Sequence, residues 1–162
     1  MAMSDRAFRA LAMREPDVVV ATLRAVIPAI VGRQPRALSS EDLQPTRLDT
    51  LAPPLDLDWA GLQDEDALLH VESQGYRDAR FLERLFRYHL WLVLQYPARI
   101  VHTVALWLID PPARDALHVI ERGNVRVKVS SVIIPRVPAE ALLEDPKSAC
   151  FAAGADRGTW SV

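Results

Sequence analysis

The sequence is first informative through what it has little of. Its 162 residues include one cysteine, Cys150, which excludes an internal disulfide and a zinc site made of several cysteines. The longest apolar run, residues 100–109, contains His102 and is too short to cross a membrane. Walker loops, dinucleotide-binding glycine motifs, zinc-protease motifs and serine-hydrolase motifs are absent from the sequence. We therefore do not expect a disulfide-stabilised protein, a membrane-spanning protein or an enzyme of the classes that these motifs define.

An excess of charge of one sign is also missing. The formal net charge is -2, so a general affinity for polyanions is not expected, and contact with nucleic acid would need a local basic patch. Half of the residues are hydrophobic and a quarter are charged, which is the composition of an ordinary globular protein. The first residues carry too many charges for the apolar core of a signal peptide. We expect a cytoplasmic protein with no membrane partner.

Length and hydrophobic periodicity predict one domain, residues 1–147, and a tail, residues 148–162, that is either an ordered extension or the end of a truncated chain. The predicted elements are a helix at 16–31 that Pro28 bends or ends, strands at 46–51 and 66–74, a helix at 78–95 that Pro97 ends, strands at 99–109 and 125–135, and a short helix at 138–143. This mixture predicts an α/β fold with a mixed central β-sheet flanked by α-helices.

Polar residues occupy every second position near the end of the predicted strand at 66–74. Because side chains alternate between the two faces of a strand, His70, Glu72 and Gln74 project from the same face. Asp49 ends the strand predicted before it. Two carboxylates can hold a hard cation such as Mg²⁺, which neutralises charge on a phosphate and activates water, and a polar group beside them can orient that water. The pattern is a candidate site for phosphodiester cleavage, although a solvated strand face would produce the same alternation.

A longer stretch carries a resemblance to a known family. The run LLHVESQGYRDARFLERLFRYHLWL resembles the core motif of the recombination-promoting nuclease and transposase-like proteins. That family belongs to the PD-(D/E)XK superfamily and has glutamine in place of the last lysine. The segment DRAFRAL, the later strands and the segment PAEALLEDP are also similar to the family's order, so the resemblance covers roughly residues 4–147.

The resemblance implies a restriction-endonuclease-like core and a metal-dependent DNA endonuclease linked to recombination or mobile elements. It implies that Asp49 and Glu72 bind Mg²⁺ or Mn²⁺, and that Gln74 stands at the position of the superfamily lysine. Asp49, Glu72 and Gln74 would then form the catalytic set. The implied partner is DNA, and a homodimer is considered as the assembly.

Departures from the superfamily pattern leave alternatives open. Gln74 brings no positive charge, and Leu48 stands where a proline is expected before the first acid. The stretch between the two acids is longer than a tight hairpin needs, so Asp56 or Asp58 is an alternative to Asp49 as the first metal ligand. The second hypothesis is therefore a protein that kept the nuclease fold, lost catalysis and acts as a DNA-binding or protein-interaction module.

The segment after the predicted strand supplies a stripe of positive charge. Arginines recur along it at helical spacing: Arg77, Arg80, Arg84 and Arg87. Four arginines in this arrangement can bind phosphate oxygens through charge and paired hydrogen bonds, so they are candidates for contact with nucleic acid. A solvated helix face, with Glu83 pairing with a neighbouring arginine, would have the same spacing. Arg84 corresponds to the arginine that precedes the tyrosine in the family motif.

The remaining candidates have simpler structural interpretations. His70 is expected to be a hydrogen-bonded or core residue, or to lie near the metal. Glu15 or Asp17 could add a third carboxylate, although acids at the start of a helix usually interact with its dipole. A third hypothesis is an unrelated α/β domain that associates through Trp91, Trp107 and the exposed tail.

Overall fold

A mixed β-sheet forms the centre of the protein. The computed structural model describes residues 5–27, 36–37, 57–63, 66–113, 115 and 118–156. The strands within these residues are β1, Arg36–Ala37; β2, Trp59–Leu62; β3, Ala67–Gln74; β4, Ile100–Trp107; β5, Val119–Arg122; and β6, Val125–Ile133. They pair in the order β1-β2-β3-β4-β6-β5. The strands β3, β4 and β6 are parallel, whereas β1, β2 and β5 lie antiparallel to their neighbours.

Helices cover both faces of this sheet. They are α1, Asp5–Arg14; α2, Pro16–Val26; α3, Phe81–Gln95; α4, Ala139–Leu143; and α5, Ala149–Ala152, with a 3-10 turn at Ile134–Arg136 after β6. Helices α1, α2, α4 and α5 pack with Leu69, Val104 and Val132 on one face. Helix α3 packs on the other face through Phe81 and Leu85. The predicted α/β fold, a mixed central sheet flanked by helices, is confirmed.

The strand β3 and the helix after it position the candidate site. All eight residues of β3 are buried, because strands flank both of its edges and helices cover both of its faces. Helix α3 connects β3 to the parallel strand β4, so the three elements form a β-α-β unit. The strand predicted at 66–74 is confirmed. A strand in this position is normally apolar throughout, so the buried polar residues Glu72, Ser73 and Gln74 at its carboxyl end are unusual.

Most predicted elements are present with shifted ends. The helix predicted at 78–95 begins at Phe81, because the side chain of Asp78 first accepts the backbone N–H of Arg80, 2.8 Å away, in a turn. The strands predicted at 99–109 and 125–135 are shorter, as β4 and β6, and Pro135 lies in the 3-10 turn that follows β6. The helix predicted at 138–143 is α4. The helices α1 and α5 and the strands β1, β2 and β5 were not predicted from the sequence.

Some predicted segments lie outside the described residues, whereas part of the predicted tail is described. The strand predicted at 46–51, which contains Asp49, lies outside the described residues, and so does Pro28. Part of the predicted tail packs on the core, since Phe151 of α5 is 3 % exposed and its ring centroid lies 6.2 Å from that of Phe8 in α1. In the part of the chain that the structure describes, no helix has both the length and the apolar character needed to span a membrane.

Candidate functional site

Glu72 is the centre of a buried polar cluster on the α3 side of the sheet. Its side chain is fully buried. One carboxylate oxygen, Oε1, accepts the backbone N–H of Asp58 at 3.0 Å and lies 3.4 Å from Nε2 of His70. The other oxygen, Oε2, accepts a long hydrogen bond from Nε of Arg84 at 3.4 Å. Both oxygens therefore face hydrogen-bonding groups of the protein, as a buried carboxylate requires.

Asp58 lies beside Glu72 because of the register between β2 and β3. Trp59 pairs with Val71 in antiparallel orientation, so the residue before Trp59 falls next to the residue after Val71. The carboxylate of Asp58 is itself buried. Its Oδ2 accepts two hydrogen bonds of 2.7 Å from Ser73, one from the backbone N–H and one from the hydroxyl. Two buried carboxylates thus lie at the carboxyl end of β3, where the backbone N–H of Asp58 joins the two residues.

The counter-ion of Asp58 comes from α1. Nε and Nη2 of Arg9 donate to Oδ1 of Asp58 at 2.9 and 2.7 Å. The side chain of Arg9 is 35 % exposed, whereas that of Asp58 is 1 % exposed. Helix α1 therefore covers this edge of the site and neutralises one of its two acids.

Arg84 of α3 joins the second acid to its neighbours. Besides its contact with Glu72, Nη2 donates to Oε1 of Gln74 at 3.3 Å, and Nη1 donates to Oδ2 of Asp78 at 2.8 Å. The guanidinium carbon lies 5.3 Å from the centre of the Phe81 ring, within cation-π distance. Burial alone would lower the pKa of Arg84, but the charges of Glu72 and Asp78 outweigh it and raise the pKa above its ordinary value. Arg84 is therefore a permanent cation within the cluster.

Gln74 is fixed on both sides of its amide. Its Oε1 accepts from Arg84, and its Nε2 donates to the backbone carbonyl oxygen of Tyr76. The side chain is fully buried, two positions beyond Glu72 on the same face of β3. Its orientation leaves the amide oxygen directed toward the centre of the cluster.

A second line of polar groups runs beneath Glu72. Oγ1 of Thr103 on β4 lies 3.3 Å from Nδ1 of His70 and 2.8 Å from Nδ1 of His89 on α3. The His70 ring also meets the ring of Tyr88 edge-on, with 6.2 Å between centroids. Burial, together with the charge of His70, lowers the pKa of His89 to about 4. His89 is therefore neutral at pH 7. A chain of polar contacts connects the site to helix α3 and runs through Glu72, His70, Thr103 and His89.

The donor types in this cluster suit a hard cation, although the candidate ligand oxygens already accept hydrogen bonds from the protein. Carboxylate oxygens of Asp58 and Glu72 and the amide oxygen of Gln74 are the kind of ligands that Mg²⁺ and Mn²⁺ prefer. No group of three or more His, Cys, Asp or Glu side chains that could hold a metal ion occurs among the described residues. A cation could reach Glu72 and Gln74 only if Arg84 moved aside.

The structure brings together some of the predicted site residues. Glu72, Gln74 and Arg84 are in one cluster, as are His70 and the alternative first acid, Asp58. Asp49 and Asp56 lie outside the described residues, so the proposed role of Asp49 as catalytic residue and metal ligand stays a prediction.

The other predicted candidates lie away from this cluster or at its rim. Three of the stripe arginines, Arg77, Arg80 and Arg87, are exposed. Asp17 forms an exposed ion pair with Lys147, with 2.7 Å between Oδ2 and Nζ, rather than supplying a third carboxylate. His102, the histidine within the apolar run at 100–109, was not among the predicted site residues and lines a cavity of about 560 Å³ at the amino end of β4.

Five residues of the cluster were missed in the sequence: Arg9, Ser73, Asp78, His89 and Thr103. Strand alternation assigned Ser73 to the opposite face, and its contact with Asp58 depends on how the chain enters β2. Arg9 lies in the segment DRAFRAL, whose similarity to the family's N-terminus was the one available signal. No spacing rule links Arg9 to Asp58 across 49 positions.

The chain was also compared with known proteins. It matches no family model, no curated protein and no solved structure. Its function therefore has to be argued from the fold and the cluster themselves.

Proposed function

We propose that this protein is a metal-dependent endonuclease that hydrolyses phosphodiester bonds in DNA, with Asp58 and Glu72 as its acid pair and Gln74 beside them. One observation carries the proposal. Two buried acids, Asp58 immediately before β2 and Glu72 on β3, lie at the carboxyl end of that central strand, joined by a hydrogen bond from the backbone N–H of Asp58 to Glu72, with a fixed amide two positions further on. The proposed link to recombination or mobile elements rests on the sequence resemblance alone.

The proposed core is restriction-endonuclease-like. Asp58 immediately precedes β2, Glu72 lies on its antiparallel partner β3, and α3 then crosses to the parallel strand β4. This arrangement supports the resemblance carried by the segment HVESQ, residues 70–74, because the alternate residues of that segment lie in one cluster. Asp58 takes the role of first acid in the proposal, and Asp49 is kept as an additional ligand to be tested.

Each side chain has a defined task in the proposed reaction. A divalent cation held by Asp58, Glu72 and the amide oxygen of Gln74 would supply neutralisation of phosphate charge and an activated water. His70 holds the Glu72 carboxylate in place, as outer hydrogen-bonding partners of metal ligands do. Arg84 brings the positive charge that Gln74 lacks, and its planar group can pair with phosphate oxygens.

Exposed arginines near the cluster suit the substrate. Arg77 and Arg80 precede the first turn of α3, and Arg87 lies on the helix itself. Their charges are local, which is what a chain with a net charge of -2 requires for contact with a polyanion. In the proposal they hold the phosphate backbone while Arg84 acts closer to the scissile bond.

Plasmid nicking tests the proposal directly. Purified protein is incubated with supercoiled plasmid and Mg²⁺ or Mn²⁺, and the rate of open-circle formation is measured. Glu72→Gln and Asp58→Asn keep the shape of each side chain while removing its charge, and each is expected to lower the rate by about 100-fold or more. Glu83→Gln, an exposed acid on α3, is the matched control and should keep the parent rate.

The result that would reject the proposal is nicking that survives both Glu72→Gln and Asp58→Asn, since a contaminating nuclease or another site would then be responsible. Thermal unfolding of each variant confirms that a lost rate is not lost fold. Asp49→Asn is measured in parallel, and a parent-like rate would remove Asp49 from the catalytic set.

A second candidate function is a nuclease-fold protein that binds DNA without cutting it. The observation that favours it is the saturation of the acid pair, in which every carboxylate oxygen of Asp58 and Glu72 already faces a hydrogen-bonding group of the protein. Calorimetry with Mn²⁺ separates the two candidates. Salt-sensitive DNA binding with no metal binding would support the second candidate and contradict the first.

A further inference from the structure

Arg84 contacts two of the three proposed metal ligands, Glu72 and Gln74. Its guanidinium donates to Glu72, Gln74 and Asp78 from three different nitrogens. The contacts are unequal, since the distance to Asp78 is 2.8 Å, whereas those to Glu72 and Gln74 are 3.4 and 3.3 Å. Hydrogen bonds of 3.3 Å or more are weak, so the hold of Arg84 on the two buried acceptors is much looser than its hold on Asp78.

The side chain is also placed so that it can leave these two acceptors. It is 27 % exposed, while Glu72 is fully buried. Asp78, its strongest partner, is at the rim with 20 % of its side chain exposed. A guanidinium anchored at the rim can turn toward solvent without crossing the core, and a phosphate oxygen there is an acceptor at least as good as the ones it gives up.

A guanidinium and a divalent cation cannot occupy the same oxygens together. Arg84 neutralises Glu72 in the protein as described, and a buried carboxylate without any counter-charge is strongly unfavourable. Binding of a cation at Glu72 removes the need for this counter-charge and frees Arg84. The guanidinium and the metal ion therefore compete for the Glu72 carboxylate. The net affinity for the metal ion then depends on whether the displaced Arg84 finds another acceptor.

We propose that Arg84 is an exchangeable counter-ion, which holds Glu72 and Gln74 in the free protein and passes to a phosphate of the substrate when a metal ion takes its place. The inference rests on the proposed function. It makes metal binding and phosphodiester binding mutually supportive through one side chain, and such coupling must be reciprocal. The protein then binds the metal ion much more tightly when DNA is present than when it is absent.

The test measures Mn²⁺ affinity by calorimetry for the parent protein and for Arg84→Gln. Without its competitor, the Gln variant should bind Mn²⁺ about 10-fold more tightly than the parent in the absence of DNA. A short duplex with phosphorothioate linkages, which resists cleavage, is then added at saturation. The duplex should raise the Mn²⁺ affinity of the parent about 10-fold more than it raises that of Arg84→Gln.

Two further variants make the result specific. Arg126→Gln removes one positive charge from an exposed ion pair, in which Arg126 and Glu121 are 68 % and 65 % exposed, and it reports the general effect of charge on cation binding. Arg84→Lys keeps the charge but cannot reach three acceptors in a plane, so an intermediate Mn²⁺ affinity is expected. Arg84→Lys also carries the test if Arg84→Gln fails to fold.

The outcomes separate the inference from the proposed function. If Arg84→Gln binds Mn²⁺ no more tightly than Arg126→Gln, the exchange is wrong, while loss of Mn²⁺ binding in Glu72→Gln would still support the metal site. If Glu72→Gln binds Mn²⁺ like the parent, the proposed function itself fails. Absence of Mn²⁺ binding in both the parent and Arg84→Gln overturns both.

Discussion

The ion pair between Arg9 and Asp58 is the contact whose removal should be most visible in stability. Arg9→Met keeps most of the apolar stem that packs along the protein surface and deletes the guanidinium. The Asp58 carboxylate, 1 % exposed, would then lose both hydrogen bonds to its Oδ1, at 2.9 and 2.7 Å, and keep the two from Ser73. A buried charge would be left without its counter-ion.

The size of the effect follows from the unequal exposure of the two partners. Removing one member of a fully buried ion pair costs about 3 to 5 kcal/mol. The side chain of Arg9 is 35 % exposed, so water can enter where the guanidinium was, and screening reduces the loss. We expect Arg9→Met to lower the free energy of unfolding by about 2 kcal/mol. Asp58→Asn retains a hydrogen-bonding oxygen but not the charge, so most of the coupling with Arg9 should vanish in it.

A double-mutant cycle measures this coupling. The free energy of unfolding is determined by urea denaturation at pH 7 for the parent, Arg9→Met, Asp58→Asn and the double variant. The double variant should be more stable than the sum of the single losses predicts, by about 1 to 2 kcal/mol. Losses that add to within about 0.5 kcal/mol would show that the pair does not hold α1 to the sheet, and the placement of α1 over the site would have to be revised.

Two further predictions use the groups around the cluster. The pKa of His89 is lowered to about 4 in the folded protein, so the unfolded chain binds the extra proton and folding stability should fall as pH drops from about 6.5 to about 4. Urea denaturation at pH 7 and pH 5 should show that the free energy of unfolding falls by about 1 kcal/mol less in His89→Gln than in the parent, after allowance for solvent screening. An equal fall in both proteins would contradict the burial of this ring. Replacing the exposed Arg77, Arg80 and Arg87 by glutamine should reduce the slope of log affinity for duplex DNA against log salt by about 2 to 3, measured by fluorescence anisotropy, whereas an unchanged slope would place the DNA elsewhere.

The long elements around the site were predictable because their patterns extend over many residues. The alternation in β3 extends over eight positions and the helical spacing in α3 over fifteen, so chance agreement is small. The same period placed Glu72 and Gln74 on one face of β3. It did not predict that this face is completely covered, because burial depends on α3 packing over it.

The position of Asp58 beside Glu72 could not be predicted for a different reason. Strand β2 has four residues, WAGL, which contain a glycine and no clear alternation, and it becomes a strand through its pairing with β3. Asp58 is therefore placed by the register between two strands, and a shift of one residue would turn its neighbours to the opposite face. Periodicity within one segment contains no information about that register, so the sequence favoured Asp49 and left Asp56 and Asp58 as alternatives.

The energetics of the cluster argue for function rather than for stability. Asp58 and Glu72 are both buried, and each is neutralised by an arginine that must give up part of its own hydration. Replacing buried ion pairs by apolar residues of similar volume is often neutral or stabilising, so an apolar pair at these two positions would serve the fold at least as well. The sheet around them already has an apolar core on both faces and does not need charges for cohesion. Two buried carboxylates at the end of a central strand, each paired with an arginine that solvent can reach, suit the proposed exchange of protein cations for a metal ion and a phosphate.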